Sequence, residues 1–358
     1  MTLSDCPPLT VAMSVYNGER FLAAAIDSVL AQTFSQFEFL IIDDGSTDAT
    51  PRILADYAAR DARVRPIVRE NRGLIISLNQ LLAEARAPIV ARMDADDICM
   101  PERFALQMAF LAANPDYGVI GACCEDIDEN GNPWAVRVLP HPSTHEEFIA
   151  AVELGLPTLC HPVVTYRRDL VRDIGGYHPA FRHCEDHDLW LRLSSVTRIG
   201  NLPQKLIRYR HYQGQVSSRH ATVQQIGAAV AKIAWEERRA GRPDPTIHLV
   251  ELPDLDQLDA LFGREGCARQ VRATVAHGLL YSRAGLRDHG FEVILRHIAD
   301  GGDRHGMWRT VARLLRFGEP ARAARLAHAL TQAATIVQTA SLPADEPYVP
   351  AANDRAAA

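Results

Sequence analysis

A chain of 358 residues, 47% hydrophobic and 23% charged, is long enough for one large domain plus a smaller one and has an ordinary globular composition. Its net charge of −6 excludes the basic footprint of a general nucleic-acid binder, so no nucleic acid is expected as a partner. The seven cysteines are odd in number and hold no C-x-x-C pair; with no signal segment in residues 1–10 and no apolar run of ~18 residues, the expected location is the cytoplasm, with free thiols.

Along the chain, short apolar runs rich in β-branched or aromatic residues fall at 9–15, 37–42, 64–68, 89–93 and 118–121. Helical patterns fill the intervals at 19–32, 48–59, 74–85 and 101–113. Ser46 and Thr47 are N-cap candidates for the second helix, and Pro101 suits the first turn of the fourth. This alternation predicts an α/β fold with a doubly wound, mostly parallel, Rossmann-like sheet, whose ligands sit at the carboxyl ends of the strands. Beyond a turn at 130–133, strands are expected at 134–139, 162–166 and 206–209, and helices at 144–154 and 186–195. From about residue 221 to 340 the pattern is entirely helical, broken by turns at 241–243 and 318–320. Residues 342–358, rich in Pro and Ala, read as a disordered tail.

Three acidic clusters carry the chemistry. Asp43 and Asp44 follow a buried strand and precede a Gly-Ser turn; capping explains one acid, not the pair, and a carboxylate there can accept from a base N–H or from ribose hydroxyls. Asp94, Asp96 and Asp97 end another strand. Acids so close repel unless a cation or an arginine neutralises them, and a D-x-D pair suits a hard divalent ion, Mn²⁺ or Mg²⁺, held against a diphosphate. Glu185 and Asp186 open a helix, where the dipole favours acids; that accounts for one of them but hardly for both. On the same helix, Trp190 reads as core rather than as a sugar-stacking platform.

With Tyr16-Asn17-Gly18-Glu19, 28–33, 43–48, Asn71-Arg72-Gly73-Leu74, 94–97, Gly175-Gly176-Tyr177 and 185–190 in this order, the chain resembles glycosyltransferase family 2, inverting enzymes of the GT-A fold. The resemblance implies a GT-A domain over 9–215, followed by a helical region over 220–340 that it does not cover. It implies transfer of a sugar from a nucleotide diphosphate donor, UDP-linked by family habit, to the hydroxyl of a glycan or lipid-linked acceptor in cell-surface polysaccharide, lipopolysaccharide or glycolipid synthesis. In that family's terms Tyr16 stacks on the base, Asp44 reads it with Asp43 in support, and Ser14, Asn17, Arg72 and Asn79 contact the donor. Asp94 meets ribose or metal, Asp96 ligates the metal, Asp186 is the general base with Glu185 beside it, and His211 completes the metal shell or is structural. The segment 208–211 with Ser217 resembles a late motif near the diphosphate. The Q-x-x-R-W element of processive synthases is absent, which favours single additions.

The nearest rival is a nucleotidyltransferase, but the place of its Gly-rich basic loop holds Tyr16-Asn17-Gly18-Glu19. A non-catalytic scaffold is disfavoured because every acid is present, and a glycosidase needs neither a nucleotide site nor a D-x-D. Between 304 and 315, Trp308, Val311, Leu314 and Leu315 form one stripe beside Arg309, Arg313 and Arg316. That stripe is expected to pack in a bundle or against a homodimer mate, with peripheral contact to an anionic membrane as the other reading.

Overall fold

The computed structural model describes residues 6–134, 141–212 and 220–340, with side chains to 332. Strands β1 (Leu9–Val15), β2 (Phe37–Asp44), β3 (Val64–Arg69) and β4 (Ile89–Asp94) alternate with helices α1 (Leu22–Leu30), α2 (Thr50–Arg60) and α3 (Leu74–Glu84). There follow β5 (Ile98–Cys99), α4 (Arg103–Ala113), β6 (Tyr117–Ile127), α5 (His145–Leu154), β7 (Thr165–Arg167), α6 (Arg168–Asp173), α7 (Glu185–Leu193), β8 (Arg198–Arg210) and α8 (Ala221–Arg239). The strands form one sheet in the order β3-β2-β1-β4-β7-β6-β8-β5. Its first four strands are parallel, β7 runs antiparallel to β4 and β6, and β6 and β8 are parallel.

Residues of β1 and β2 are buried on both faces, as covered parallel strands require, so their sequences read as continuous apolar runs. Register then places the site. Ser14 pairs with Ile42 on one side and Asp94 on the other, and Val15 pairs with Asp43. The ends of β1, β2 and β4, with the acids they carry, therefore emerge at one edge of the sheet.

Several local expectations are corrected. Ser46 and Thr47 do not cap α2: the Asp48 carboxylate accepts from the Thr50 N–H at 2.9 Å, while the Ser46 hydroxyl is taken by Asn17 N–H. Pro101 lies before α4 rather than in its first turn, and its carbonyl accepts from Thr33. Pro162 sits in a 3-10 turn, His161–Val163, and the strand begins only at Thr165. β8 starts already at Arg198, and β5, two residues long, offers no periodicity to read. The expected strand at 134–139 falls, apart from Trp134, outside the described residues, as does the tail at 342–358. No disulfide joins any of the seven cysteines, as expected, and the neighbours Cys123 and Cys124 are half-buried.

The chain divides into two compact units at Cys267/Ala268. The first includes α8, the opening helix of the helical region. Gly227 of α8 approaches so closely that a Cβ there would lie 2.2 Å from Cys184 Sγ, and Trp235 donates to Ser194 Oγ at 3.1 Å, so α8 braces both ends of α7. The second unit is built on α10 (Cys267–Leu279), α11 (Gly290–Ala299), α12 (Met307–Arg316) and α13 (Pro320–Ala340); α9 (Leu258–Phe262) precedes it. Its core includes Val271, Leu279, Phe291, Ile294, Leu314 and Leu326. No described helix is long and apolar enough to cross a membrane.

Candidate functional site

Two loops at the sheet edge lock each other by reciprocal bonds. From the β1 loop, the N–H groups of Asn17, Gly18 and Glu19 donate to Ser46 Oγ, Thr50 Oγ1 and Asp48 Oδ2 at 2.8, 2.9 and 3.0 Å. In return Asn17 Oδ1 accepts from Thr47 N–H and Glu19 Oε2 from Ala49 N–H, at 2.8 and 2.9 Å. Asn17 is left-handed at φ 50°, which Asn tolerates better than most residues. Tyr16, freed by this clasp, is 55% exposed on the cleft.

The Asp43/Asp44 pair divides its labour. Asp43 is fully buried and accepts from Ser46 N–H at 3.0 Å, closing the turn after β2. Asp44 accepts from the N–H groups of Arg72 and Gly73, both at 2.9 Å, and pairs with Arg69 Nη1 at 2.5 Å. Gly45 must be glycine here: its φ is +79°, and a Cβ would lie 2.5 Å from Asn71 N.

Asp94, Asp96 and Asp97 present carboxylate oxygens that all lie within 4.8 Å of one another. Arg92, buried beneath them, contacts Asp94 through Nη1. Burial pushes the Asp96 carboxyl up to about 6, with Asp94 adding to the shift, while Tyr212, which donates to it at 3.0 Å, and Arg92 oppose it. Burial also drives Asp97 well above the usual range, with Asp96 and Asp94 contributing. One Asp97 oxygen accepts from Arg210 N–H at 2.8 Å; the other is buried without a hydrogen-bond partner. The Arg210 side chain bonds the Asp96 carbonyl at 2.7 Å and lies 4.6 Å over the Phe21 ring. A cleft of about 470 Å³ joins these groups; Ser14, Tyr16, Asn17, Asp44, Asp94 and Asp96 line it, with Arg20, Phe21 and Tyr212.

Glu185 and Asp186 occupy the first turn of α7 and do not line that cleft. They open a helix, as expected, rather than ending a strand. Burial raises the Glu185 carboxyl to about 7, with Asp186 adding; burial also raises Asp186, against the lowering effect of His187, backbone N–H groups and Arg92. Asp186 is half-buried and makes no ion pair among the described residues. Asp188 is committed elsewhere: it pairs with Arg192 at 2.7 Å, and Arg192 holds the carbonyls of Ile174 and Gly176. Trp190 is 1% exposed, a core residue as expected.

Other expected residues land differently. Arg72 reaches Asp44 through its backbone N–H, while its side chain pairs with Glu70 in solvent. Asn79 clasps Tyr177 by both backbone groups at 2.8 Å, beneath Gly176, and faces a separate depression. His211 is not in the acidic triad: its Nε2 lies 2.6 Å from Asp126 Oδ1 and its ring stacks on Trp134. Ser217 lies outside the described residues. Arg69, Arg92, Arg210 and Tyr212 went unnoticed or unassigned in the sequence, since arginine spacing carries no signal of which acid it will meet.

The chain is similar in sequence and fold to known proteins. The sequence model described as glycosyl transferase family 2 matches residues 10–175. EpsE of Bacillus subtilis, named a glycosyltransferase, is 38% identical over 213 residues, 58% of this chain and 74% of its own length. AmsE of Erwinia amylovora, an amylovoran biosynthesis glycosyltransferase, is 31% identical over 59% of this chain and 79% of its own. WbnJ of Escherichia coli, an O-antigen biosynthesis glycosyltransferase, is 30% identical over 59% and 82%. Among solved structures, S. aureus TarS 1–349 in complex with UDP-GlcNAc superimposes with a TM-score of 0.53 at 19% identity, over 87% of this chain and 92% of that one, which shows a shared fold.

Proposed function

The chain belongs to glycosyltransferase family 2, with the GT-A fold, and from that premise we propose that it is a metal-dependent, inverting transferase acting from a nucleotide diphosphate sugar. The observation that carries this reading is the gathering of Tyr16, Asp44, Asp94 and Asp96 around one cleft at the strand ends. A volume of about 470 Å³ suits a ligand of nucleotide-sugar size.

The acidic triad fits a hard divalent cation such as Mn²⁺ or Mg²⁺: its three carboxylates converge, burial and mutual repulsion raise Asp96 and Asp97, and one buried Asp97 oxygen has no partner. Asp94 and Asp96 would hold the ion, which supplies Lewis-acid neutralisation of the departing diphosphate. Tyr16 stacks on the base. Asp44, oriented by Arg69 and by two loop N–H groups, reads the base or ribose. Asp186 takes the proton of the acceptor hydroxyl as that oxygen attacks the anomeric carbon from the face opposite the leaving group, which inverts the centre without a covalent intermediate. Glu185, pushed up to about 7, shares the titration with it.

AmsE and WbnJ are named for amylovoran and O-antigen biosynthesis, and the acceptor we propose is a growing glycan or its lipid-linked form. TarS is seen with UDP-GlcNAc, so UDP-linked donors come first in the test. The full chain, incubated with a panel of nucleotide sugars and Mn²⁺, should be stabilised by its donor, by roughly 2.7 kcal/mol at about 100 times Kd. With acceptor extract it should release nucleoside diphosphate. Release of pyrophosphate instead would establish nucleotidyl transfer and overturn the reading.

A further inference from the structure

Helix α12 turns apolar groups two ways. Met307, Thr310 and Leu314 are buried inside the second unit. On the adjacent flank, roughly 100° around the helix, Trp308, Val311 and Leu315 recur at i, i+3 and i+7, and Trp308 and Leu315 remain 57% and 58% exposed. The stripe expected to pack in a bundle is thus split: Leu314 packs, and Trp308 and Leu315 do not. Tyr281, 64% exposed, lies against another side of the helix, with the Arg313 guanidinium 4.2 Å from its ring centroid.

The charge around this stripe is one-sided. Residues 268–340 contain eleven arginines and five acidic residues in a chain whose net charge is −6. The acids are engaged with other groups. Glu292 pairs with Arg325 at 2.9 Å, Asp300 with Arg272 and Arg296 at 3.0 and 3.2 Å, and Glu319 with Arg287 at 2.7 Å. Asp288 and Asp303 accept from the backbone N–H groups of Gly290 and His305. Arg304, Arg309, Arg313 and Arg316 make no ion pair with a carboxylate among the described residues.

We propose that the Trp308–Leu315 face of α12 docks on an anionic phospholipid surface. An exposed Trp and Leu, flanked on the helix by the exposed Arg309 and Arg316, which pair with no carboxylate among the described residues, is the pattern of a helix lying in the membrane interface. There the aromatic rings sit at headgroup depth and the arginines meet lipid phosphates. A second copy of the chain fits this face poorly, because a two-fold contact would set arginine against arginine with no acid between them. Docking of this kind is independent of whether the cleft binds a metal or which sugar it takes.

The test is flotation of the full chain with vesicles. The parent should float with phosphatidylglycerol/phosphatidylcholine vesicles and not with phosphatidylcholine alone, and about 0.5 M NaCl should release it, since screening then acts within roughly 4 Å. Trp308→Ser/Leu315→Ser and Arg309→Glu/Arg316→Glu should each lower partitioning by at least about tenfold. Their melting temperature should be unchanged, as these side chains are exposed. The proposal is overturned if the parent stays unbound, binds both vesicle types equally, or binds as well with either double substitution. It is also overturned if sedimentation shows a dimer that Trp308→Ser dissociates, because a second copy would then cover the stripe.

Discussion

Asp186→Asn separates two roles that the first turn of α7 can give an acid. As a helix-start acid, Asp186 interacts with the dipole, worth about 0.3–1 kcal/mol. It is not the N-cap residue, which is Cys184, but its carboxylate takes backbone N–H bonds at the helix start, which an Asn side chain can also accept. Burial raises its pKa, so the native fold disfavours the ionised form, and a neutral amide recovers part of what the dipole loses. The two effects oppose each other, and the net change in stability should stay within about 1 kcal/mol, a few degrees in Tm. As general base the same residue has no substitute in an amide, and the rate should fall about 10²–10⁴-fold, or roughly 3–5 kcal/mol on the barrier. The assay is therefore paired: thermal melting and donor calorimetry to show that fold and binding persist, then kcat from released nucleoside diphosphate. A folded, donor-binding Asp186→Asn enzyme with near-normal kcat would refute the assignment. Glu185 is then the next candidate, since Asp188 is locked to Arg192.

Asp96→Ala should abolish the Mn²⁺-dependent part of UDP binding; calorimetry giving the same metal enhancement as the parent would remove Asp96 from the site. Tyr16→Ala should weaken nucleotide binding by about 1–3 kcal/mol if the ring stacks on a base, with little effect on Tm because the ring is 55% exposed. An unchanged Kd would rule the stacking out. Glu185 sets a pH slope of known sign. Its folded pKa of about 7 lies above the ordinary 4.5, so the native state holds a proton that the unfolded chain has released, and stability falls as pH rises between those values. Glu185→Gln should flatten that slope and gain on the order of 1–3 kcal/mol near pH 8 relative to pH 4. Parallel urea-midpoint profiles for parent and variant would show that Glu185 is not the group responsible.

How much of this was legible beforehand depended on distance along the chain. β1 to β4 could be read because each is a short apolar run bounded by turn residues, and a strand buried on both faces needs nothing else. Asp44, Asp94 and Asp96 could be singled out because they terminate those runs, and strand ends in parallel sheets meet at one edge. The residues of the N-terminal clasp were visible only as two separate motifs, Asn17-Gly18-Glu19 and Ser46-Thr47-Asp48; that they bond each other was not.

What local pattern could not reveal is every assignment made by a partner far away in sequence. Asn79 reads as a donor contact until Tyr177, 98 residues on, occupies both ends of its amide. His211 reads as a ligand or a structural residue until Asp126 holds its ring, and Arg72 as a binding side chain until only its N–H is found at Asp44. Arg92 and Arg210 are two arginines among many in the sequence; folding alone buries one under Asp94 and wraps the other around Asp96 and Asp97. The acids' raised pKa values have the same origin, because desolvation and like-charge crowding exist only once distant segments exclude water together. Periodicity and turn chemistry, being local, determined the elements and the edge where the site lies. Which polar groups are free to meet a substrate was decided by tertiary packing, since a hydrogen-bonding group's availability depends on all its neighbours in space.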